Sequence, residues 1–353
     1  MPLRVVVWGP GNVGRPAIRS VVAHPALELA GVIVHSAAKE GRDAGELAGI
    51  APVGVAATRD AARLLATRPD ALVYAVNADF RPAEAQQECL AALRAGIDVV
   101  SAGMYGLLHP ASAEPALRAR FEEACREGKS RFFTSGIDPG WAMDLLPVVL
   151  SGVCQEIREI RITENFNYEH YAQPDAVRHL VGMGQPMDAT PPMLLPVALE
   201  SVWGGVLRAL GAALGAEVAE IRSVVEKHAL EETIENSMGR FEAGTQGAFR
   251  FEVQGIVDGR PALVVEHITR IHDATAPQWP RPAKQGCHQV RISGHPDLLL
   301  TLECEDADGN HAGGGNATAA GRIVNAIPLL RRMPPGLVGG ADLPLVAGRG
   351  LLV

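Results

Sequence analysis

The feature that most limits what this chain folds into is Val5-Val6-Val7-Trp8-Gly9-Pro10-Gly11-Asn12-Val13-Gly14-Arg15. It places G-x-G-x-x-G directly after a valine-rich run and at the opening of a segment with helical apolar spacing, the context in which that pattern has a mechanism. Gly9 permits the tight turn, Gly11 lets the backbone approach a pyrophosphate, and Gly14 lets the helix pack closely on its strand. The helix start offers free N–H groups and a partial positive charge to phosphates, so Gly9, Gly11, Asn12, Val13 and Gly14 are candidate cofactor contacts. The alternative is a glycine-rich turn that binds nothing.

The strands and helices beyond the turn argue for the dinucleotide. Short, nearly continuous apolar runs at Arg4–Trp8, Leu29–Val34, Ala71–Ala75, Asp98–Ser101 and Arg131–Thr134 suit a parallel sheet covered on both faces. Helices are predicted between them, over Arg81–Ala95 with Pro82 in its first turn, and over Ser112–Glu127 with Ser112 as N-cap. Beyond about residue 145 the period changes. Phe249, Phe251 and Val253 alternate with Arg250, Glu252 and Gln254, and Asp258-Gly259 supplies a hairpin turn before Ala262–Ile271. Further strands are expected at Glu156–Glu164, His288–Ser293 and Leu298–Glu305, with helical insertions at Asp175–Met183 and Thr190–Leu214. The expectation is an α/β chain: a Rossmann-type parallel-sheet domain over residues 1–140, then an α+β domain over 141–312 on a mainly antiparallel sheet. Gly313-Gly314-Gly315 precedes a helix over Asn316–Ile327, and the segment 313–353 is expected to pack back on the first domain.

Composition removes several function classes. The 32 Lys and Arg against 40 Asp and Glu give a net charge of -8, which lacks the electrostatic attraction that nucleic-acid binding uses. Cys89, Cys125, Cys154, Cys287 and Cys304 lie far apart without a C-x-x-C pair, so they read as reduced thiols. No H-E-x-x-H or other metal spacing and no G-x-S-x-G elbow is present. The apolar stretch Met193–Leu214 contains Glu200 and Arg208, so it reads as a buried or amphipathic helix and no membrane span is expected. Met1-Pro2-Leu3-Arg4 runs straight into a strand without the features of an export signal, and the expected compartment is the cytoplasm.

About twenty residues past the glycine turn, an NAD-specific fold places an acidic residue against the ribose hydroxyls. Here the chain reads Val34-His35-Ser36-Ala37-Ala38-Lys39 and then Arg42. Ser36 is a donor for a 2′-phosphate and Lys39 and Arg42 supply charge, so NADP(H) is preferred, with NAD(H) tolerated. The alternative is that both cations only solvate a loop. Loops at the carboxyl ends of the parallel strands gather where ligands of open α/β sheets bind. They are Val76–Phe80, with Asn77, then Ala102–His109 and Ser135–Trp141. Ala102 lies in a stretch small enough to approach a nicotinamide ring. Tyr105 and His109 are candidate proton donors, or packed or surface residues instead.

On VVWGPGNVGRPAIR (Val6–Arg19), LAGVIVHSAAKEGRDAGELAGI (Leu29–Ile50), GIDPGWAMDLLP (Gly136–Pro147), AGTQGAFRF (Ala243–Phe251), VEHITR (Val265–Arg270) and GGGNATAAGRIVNAIP (Gly313–Pro328), the chain resembles the dihydrodipicolinate-reductase-like oxidoreductases. The branch resembled contains 2,4-diaminopentanoate dehydrogenase and native amine dehydrogenases. The resemblance implies a two-domain homodimer with nicotinamide between the domains, and hydride transfer to a C=N or C=O carbon. Two departures limit it. No H-H-x-x-x-K signature is present, which speaks against true dihydrodipicolinate reduction. Where the amine dehydrogenases carry a glutamate that holds the amine nitrogen, in the loop after Asp98–Ser101, this chain has Met104, and a thioether neither takes a proton nor neutralises an ammonium. The expectation is an apolar pocket floor and poor ammonia-dependent amination by that route.

Trp141 is read as a wall of the substrate pocket or as hinge packing. The segment Asn165-Phe166-Asn167-Tyr168-Glu169-His170-Tyr171 is a candidate aromatic loop over a small, largely apolar substrate, with Tyr168 and Tyr171 as contacts. In Glu266-His267 strand geometry lets one side chain face a site; His267 is a candidate proton donor or a satisfied buried histidine. The function expected is NAD(P)H-dependent reduction of an imine or carbonyl. A nucleotide-sensing protein that kept the cofactor site and lost catalysis is the alternative.

Overall fold

The computed structural model describes residues 1–78, 81–171 and 173–352, together with all their side chains except that of His170. Asp79 and Phe80, the end of one expected cofactor loop, lie outside the described residues. The chain divides into two compact units, residues 1–141 with 316–353, and residues 142–315.

In the first unit β1 (Leu3–Trp8), α1 (Gly14–Ala23), β2 (Leu27–Ile33), α2 (Ala44–Ala48), β3 (Ala57–Thr58), α3 (Ala61–Ala66), β4 (Ala71–Tyr74), α4 (Pro82–Arg94), β5 (Asp98–Ser101), α5 (Pro115–Gly128) and β6 (Arg131–Thr134) alternate along the chain. They build a parallel sheet in the order Gly336–Val338, β6, β5, β4, β1, β2, β3. Successive side chains of a strand face opposite ways, and β1 feeds two cores accordingly. Val5 and Val7 join one with Ile18, Ile323, Val324 and Ile327, while Val6 and Trp8 join another with Tyr74, Leu90, Phe121 and Phe132. Both faces being covered explains why these strands read as unbroken apolar runs. One boundary is corrected: Ser112 ends a separate short turn, and α5 is capped by Glu114, whose carboxylate accepts from the N–H groups of Ala116 and Leu117. The acidic cap also complements the helix N-terminus, and Gly128 falls inside the helix.

The second unit contains α6 (Leu145–Ser151), β7 (Glu156–Asn167), α7 (Pro196–Leu199), α8 (Gly205–Ala213), β8 (Glu220–Ala229), β9 (Ile234–Asn236), β10 (Gly239–Phe241), β11 (Gln246–Val257), β12 (Arg260–Arg270), β13 (Gly286–His295) and β14 (Leu298–Leu302). A six-stranded sheet runs β14-β13-β7-β12-β11-β8. It is antiparallel except between β7 and β12. A long excursion separates those two in sequence, and only strands joined by a short hairpin are bound to run opposite ways. The β11–β12 turn has Asp258 and Gly259 at φ of 50° and 78°, as a tight hairpin requires. The expected insertions are uneven: 175–183 holds one short helical turn, and 190–214 passes through a short turn at Pro192–Leu194 and then runs from α7 through a wide turn at Glu200–Gly204 into α8. Strands β8, β9 and β10 were not expected from the sequence.

The chain closes with α9 (His311–Leu330) and β15 (Gly336–Val338). The three glycines are inside α9 rather than before it. A Cβ at Gly314 would lie 2.4 Å from the backbone carbon of Cys304, so smallness there lets the helix lie against the Cys304–Glu305 backbone, whereas a Cβ at Gly315 would meet nothing within 4 Å. The five cysteines form no disulfide.

Candidate functional site

At the end of β1 the chain turns so sharply that Gly9 sits at φ 89°, a conformation that L side chains rarely adopt. A Cβ on Gly14 would lie 2.0 Å from the Gly9 carbonyl oxygen, whereas one on Gly11 would meet nothing within 4 Å. Gly14 is therefore demanded by the turn itself, and Gly11 keeps a cradle open in front of it. No side chain caps α1, and its first turn holds no acid, so its N-terminal N–H groups face that cradle with their partial charge intact.

Lys39 Nζ donates to the Pro10 carbonyl at 3.2 Å, which brings it onto the glycine turn. Burial lowers its pKa, and the nearby charges of Arg15 and Arg42 lower it further. Lys39 thus sits on the glycine turn, with the charges of Arg15 and Arg42 near it. Arg15 was not among the sequence candidates, although its place directly after Gly14 is a usable signal. Ser36, exposed, heads the short turn that carries Lys39.

The loop after β5 is pinned from several sides. The Gly103 N–H donates to Ser101 Oγ at 3.1 Å, the hydroxyls of Ser101 and Thr134 donate to the Gly103 carbonyl, and the Tyr105 hydroxyl donates to Ala102 O at 2.9 Å. Met104 adopts a left-handed conformation, φ 57° and ψ 42°, and packs against the cluster containing Leu107, Phe121 and Phe132. His109 Nδ1 lies 2.8 Å from Ser112 Oγ. Asn77 is exposed in the loop after β4, and Trp141, half-buried, donates its backbone N–H to Gly136 O.

On the second unit a polar row crosses the sheet. Register pairs Phe251 with His267, His267 with Glu164, and Glu164 with His288, so all four lie side by side on one face. His267 Nδ1 is 3.6 Å from Glu164 Oε1, and His288 Nε2 is 3.2 Å from Oε2. The Tyr168 hydroxyl donates to Oε1 at 3.3 Å, and its ring stacks on Tyr171 with centroids 4.6 Å apart. The His267 ring stacks on Phe251 at 4.5 Å and meets the edge of Trp203 at 4.8 Å, while Phe166 lies against His288. Glu266 points to the opposite face, against Arg250 at 2.6 Å and Arg161 at 3.6 Å. Sequence reasoning named His267, Tyr168 and Tyr171 but missed His288 and Trp203, and placed Glu164 only at the end of an expected strand.

Residues 3–103 match the family described as dihydrodipicolinate reductase, N-terminus, and residues 141–349 the 2,4-diaminopentanoate dehydrogenase C-terminal domain. An amine dehydrogenase from Streptomyces virginiae is 50% identical over 99% of this chain and 98% of its own. The 2,4-diaminopentanoate dehydrogenase of Acetoanaerobium sticklandii is 25% identical over 68% of this chain and 64% of its own. The solved amine dehydrogenase from Mycobacterium smegmatis shares the fold, with a TM-score of 0.78 at 22% identity over 99% of this chain and 98% of that one. Among the described residues no helix is long and apolar enough to cross a membrane.

Proposed function

The chain belongs to the 2,4-diaminopentanoate and amine dehydrogenase branch of the dihydrodipicolinate-reductase-like oxidoreductases, and is an NAD(P)-dependent oxidoreductase of amine-dehydrogenase type; from that premise we propose that it uses NADP(H) in preference to NAD(H) on the C=N or C=O carbon of a small, largely apolar compound. The observation that carries the cofactor preference is the convergence of Arg15, Lys39 and Arg42 beside the glycine turn. A 2′-phosphate is a dianion that such a cluster neutralises, and the Ser36 hydroxyl adds a donor. The backbone of Gly9, Gly11, Asn12, Val13 and Gly14 would hold the pyrophosphate, with Asn77 and Ala102 along the same strand ends. When bound, the nicotinamide supplies the hydride.

Met104 lies against an apolar cluster, and Trp141, Tyr168 and Tyr171 are the aromatic candidates for contact with an alkyl or cyclic substrate. Of the proton-donor candidates, His267 is the best supported. The Glu164 carboxylate beside its Nδ1 orients the ring and stabilises the imidazolium. The Tyr105 hydroxyl instead braces the Ala102–Met104 loop. The homodimer and the cytoplasmic location belong to the same reading.

Two measurements test it. Titrated separately, NADPH should bind more tightly than NADH; a tenfold preference for NADH, about 1.4 kcal/mol in the wrong direction, rejects the phosphate site. Nicotinamide absorbance followed with ketones, aldehydes and imines, each with and without ammonia, should show turnover. Tight cofactor binding without turnover on the whole panel rejects the enzymatic reading in favour of a nucleotide sensor.

A further inference from the structure

We infer that the first unit holds a second ligand site, separate from the glycine turn, for a small organic carboxylate with an apolar body, of the medium-chain alkanoate class. A cavity of about 320 Å³ lies between the loop after α1, the last turns of α9 and the segment 344–350, which is within the size range of small-molecule sites. All three walls belong to the first unit. α1 starts at the glycine turn with Gly14 and ends at Ala23, and His24 lines the cavity directly after it. The ten residues of the helix therefore set the cavity about 15 Å from the turn.

Along α9 and just past its end, Asn325, Pro328, Leu329 and Arg332 line the cavity at the i, i+3, i+4, i+7 spacing of one helix face. Pro25, Pro328 and Pro344 put one proline in each wall, which fixes the backbone before any ligand arrives. Leu345 lines the cavity while 75% exposed, so an aliphatic ligand would cover apolar surface that the fold leaves in water. Among the described residues no acid lines the cavity, whereas Arg332 and Arg349 both do, and neither side chain has an ion pair. Arg331, by contrast, is paired with Asp70 and Asp98. In a chain of net charge -8, two guanidinium groups without a carboxylate at one apolar cavity are a specific attraction for an anion, and a carboxylate matches their fork geometry. His24, 6% exposed, accepts the Ala26 N–H at Nδ1 over 3.1 Å, so its proton is on Nε2, which has no partner among the described residues. Burial lowers the pKa of the ring and keeps it a neutral donor. The apolar remainder of the lining disfavours a strongly hydrated inorganic anion and suits a carbon chain.

The experiment titrates octanoate into the protein by calorimetry, with and without saturating NADPH, beside acetate and octanamide. Octanoate should bind at one site per chain with a Kd below about 1 mM, equally well in both conditions. Acetate, which lacks the chain, and octanamide, which lacks the charge, should each bind at least about 10-fold more weakly. In the double variant Arg332→Gln and Arg349→Gln, both at exposed positions, the octanoate Kd should rise at least about 30-fold, with NADPH affinity within about threefold of wild type. Leu329→Trp, which fills the cavity, should abolish octanoate binding. Should that variant fail to fold, His24→Phe, which removes the Nε2 donor, should raise the octanoate Kd about fivefold. Octanoate that does not saturate, that NADPH displaces, or that binds the arginine double variant as tightly as wild type overturns the inference, as does octanamide binding as tightly as octanoate.

Discussion

In the first unit polar chemistry sits on backbone at strand ends, and in the second it sits on side chains across the face of a sheet. The glycine turn needs no charged side chain for its basic function, because the first residues of a helix have N–H groups without an intrahelical partner. The row on β11, β12, β7 and β13 must instead keep a carboxylate and two imidazoles away from water, so each member is tied to another. A strand-end site tolerates changes of neighbouring side chains but not of its glycines. A sheet-face site depends on every partner.

That difference orders the expected effects of substitution. The largest belongs to Gly14→Val. With a Cβ already 2.0 Å from the Gly9 oxygen the turn cannot close, and NADPH affinity measured by titration should fall more than about 100-fold, or the protein should fail to fold. A variant that folds and binds normally would show that the turn is not what positions the cofactor.

Next comes the double change Lys39→Glu and Arg42→Glu, which leaves the turn intact and reverses charge beside it. NADPH affinity should drop about 30-fold and NADH affinity by less than about threefold. The wild type should show the same effect through pH. Because burial, Arg15 and Arg42 lower the Lys39 pKa, its charge is lost below the usual lysine range, and NADPH affinity should weaken as pH rises through that lowered range while NADH affinity stays level. Equal pH dependence for both cofactors would remove Lys39 from the phosphate site.

The third change places a carboxylate in the first region. Met104→Glu should raise ammonia-dependent turnover by about tenfold, followed by NADPH absorbance, at a stability cost of about 1–3 kcal/mol for placing a carboxylate against an apolar cluster. No gain in a folded variant would mean that the Ala102–Met104 loop does not serve the nitrogen at all.

The smallest effect is at Thr269, fully buried on β12, whose hydroxyl finds no hydrogen-bond partner among the described residues. Thr269→Val keeps the shape and removes the unsatisfied group, so thermal unfolding should show a gain of about 1 kcal/mol. A loss would show that the hydroxyl has a partner in solution.

Much of the first unit was legible because its signals are local. Val5, Val7, Val6 and Trp8 announce a doubly covered strand by composition alone, and Pro82 marks a helix start within its own turn. The errors there were local too: Ser112 and Glu114 are both competent caps two residues apart, and the backbone chose the one that also complements the helix dipole. In the second unit the alternation of β11 and the Asp258-Gly259 turn were readable for the same reason. The direction of β7 relative to β12 was not, because nothing near either strand encodes which neighbour it will find.

By itself the amino-acid sequence determined the Rossmann-type unit, the glycine turn at Gly9–Gly14 and the apolar residue at Met104, since each depends on residues within one turn or one strand of each other. Only the tertiary structure decided that Glu164 stands between His267 and His288. Those residues come from three strands separated by long stretches of chain, and a register shift of one position would have sent each to the opposite face of the sheet. Arg15 reached Lys39 and Arg42 the same way, through folding that brings distant loops to one end of the sheet. Backbone geometry is a property of neighbours in sequence, whereas the electrostatic partners of a buried charge are set by which surfaces pack.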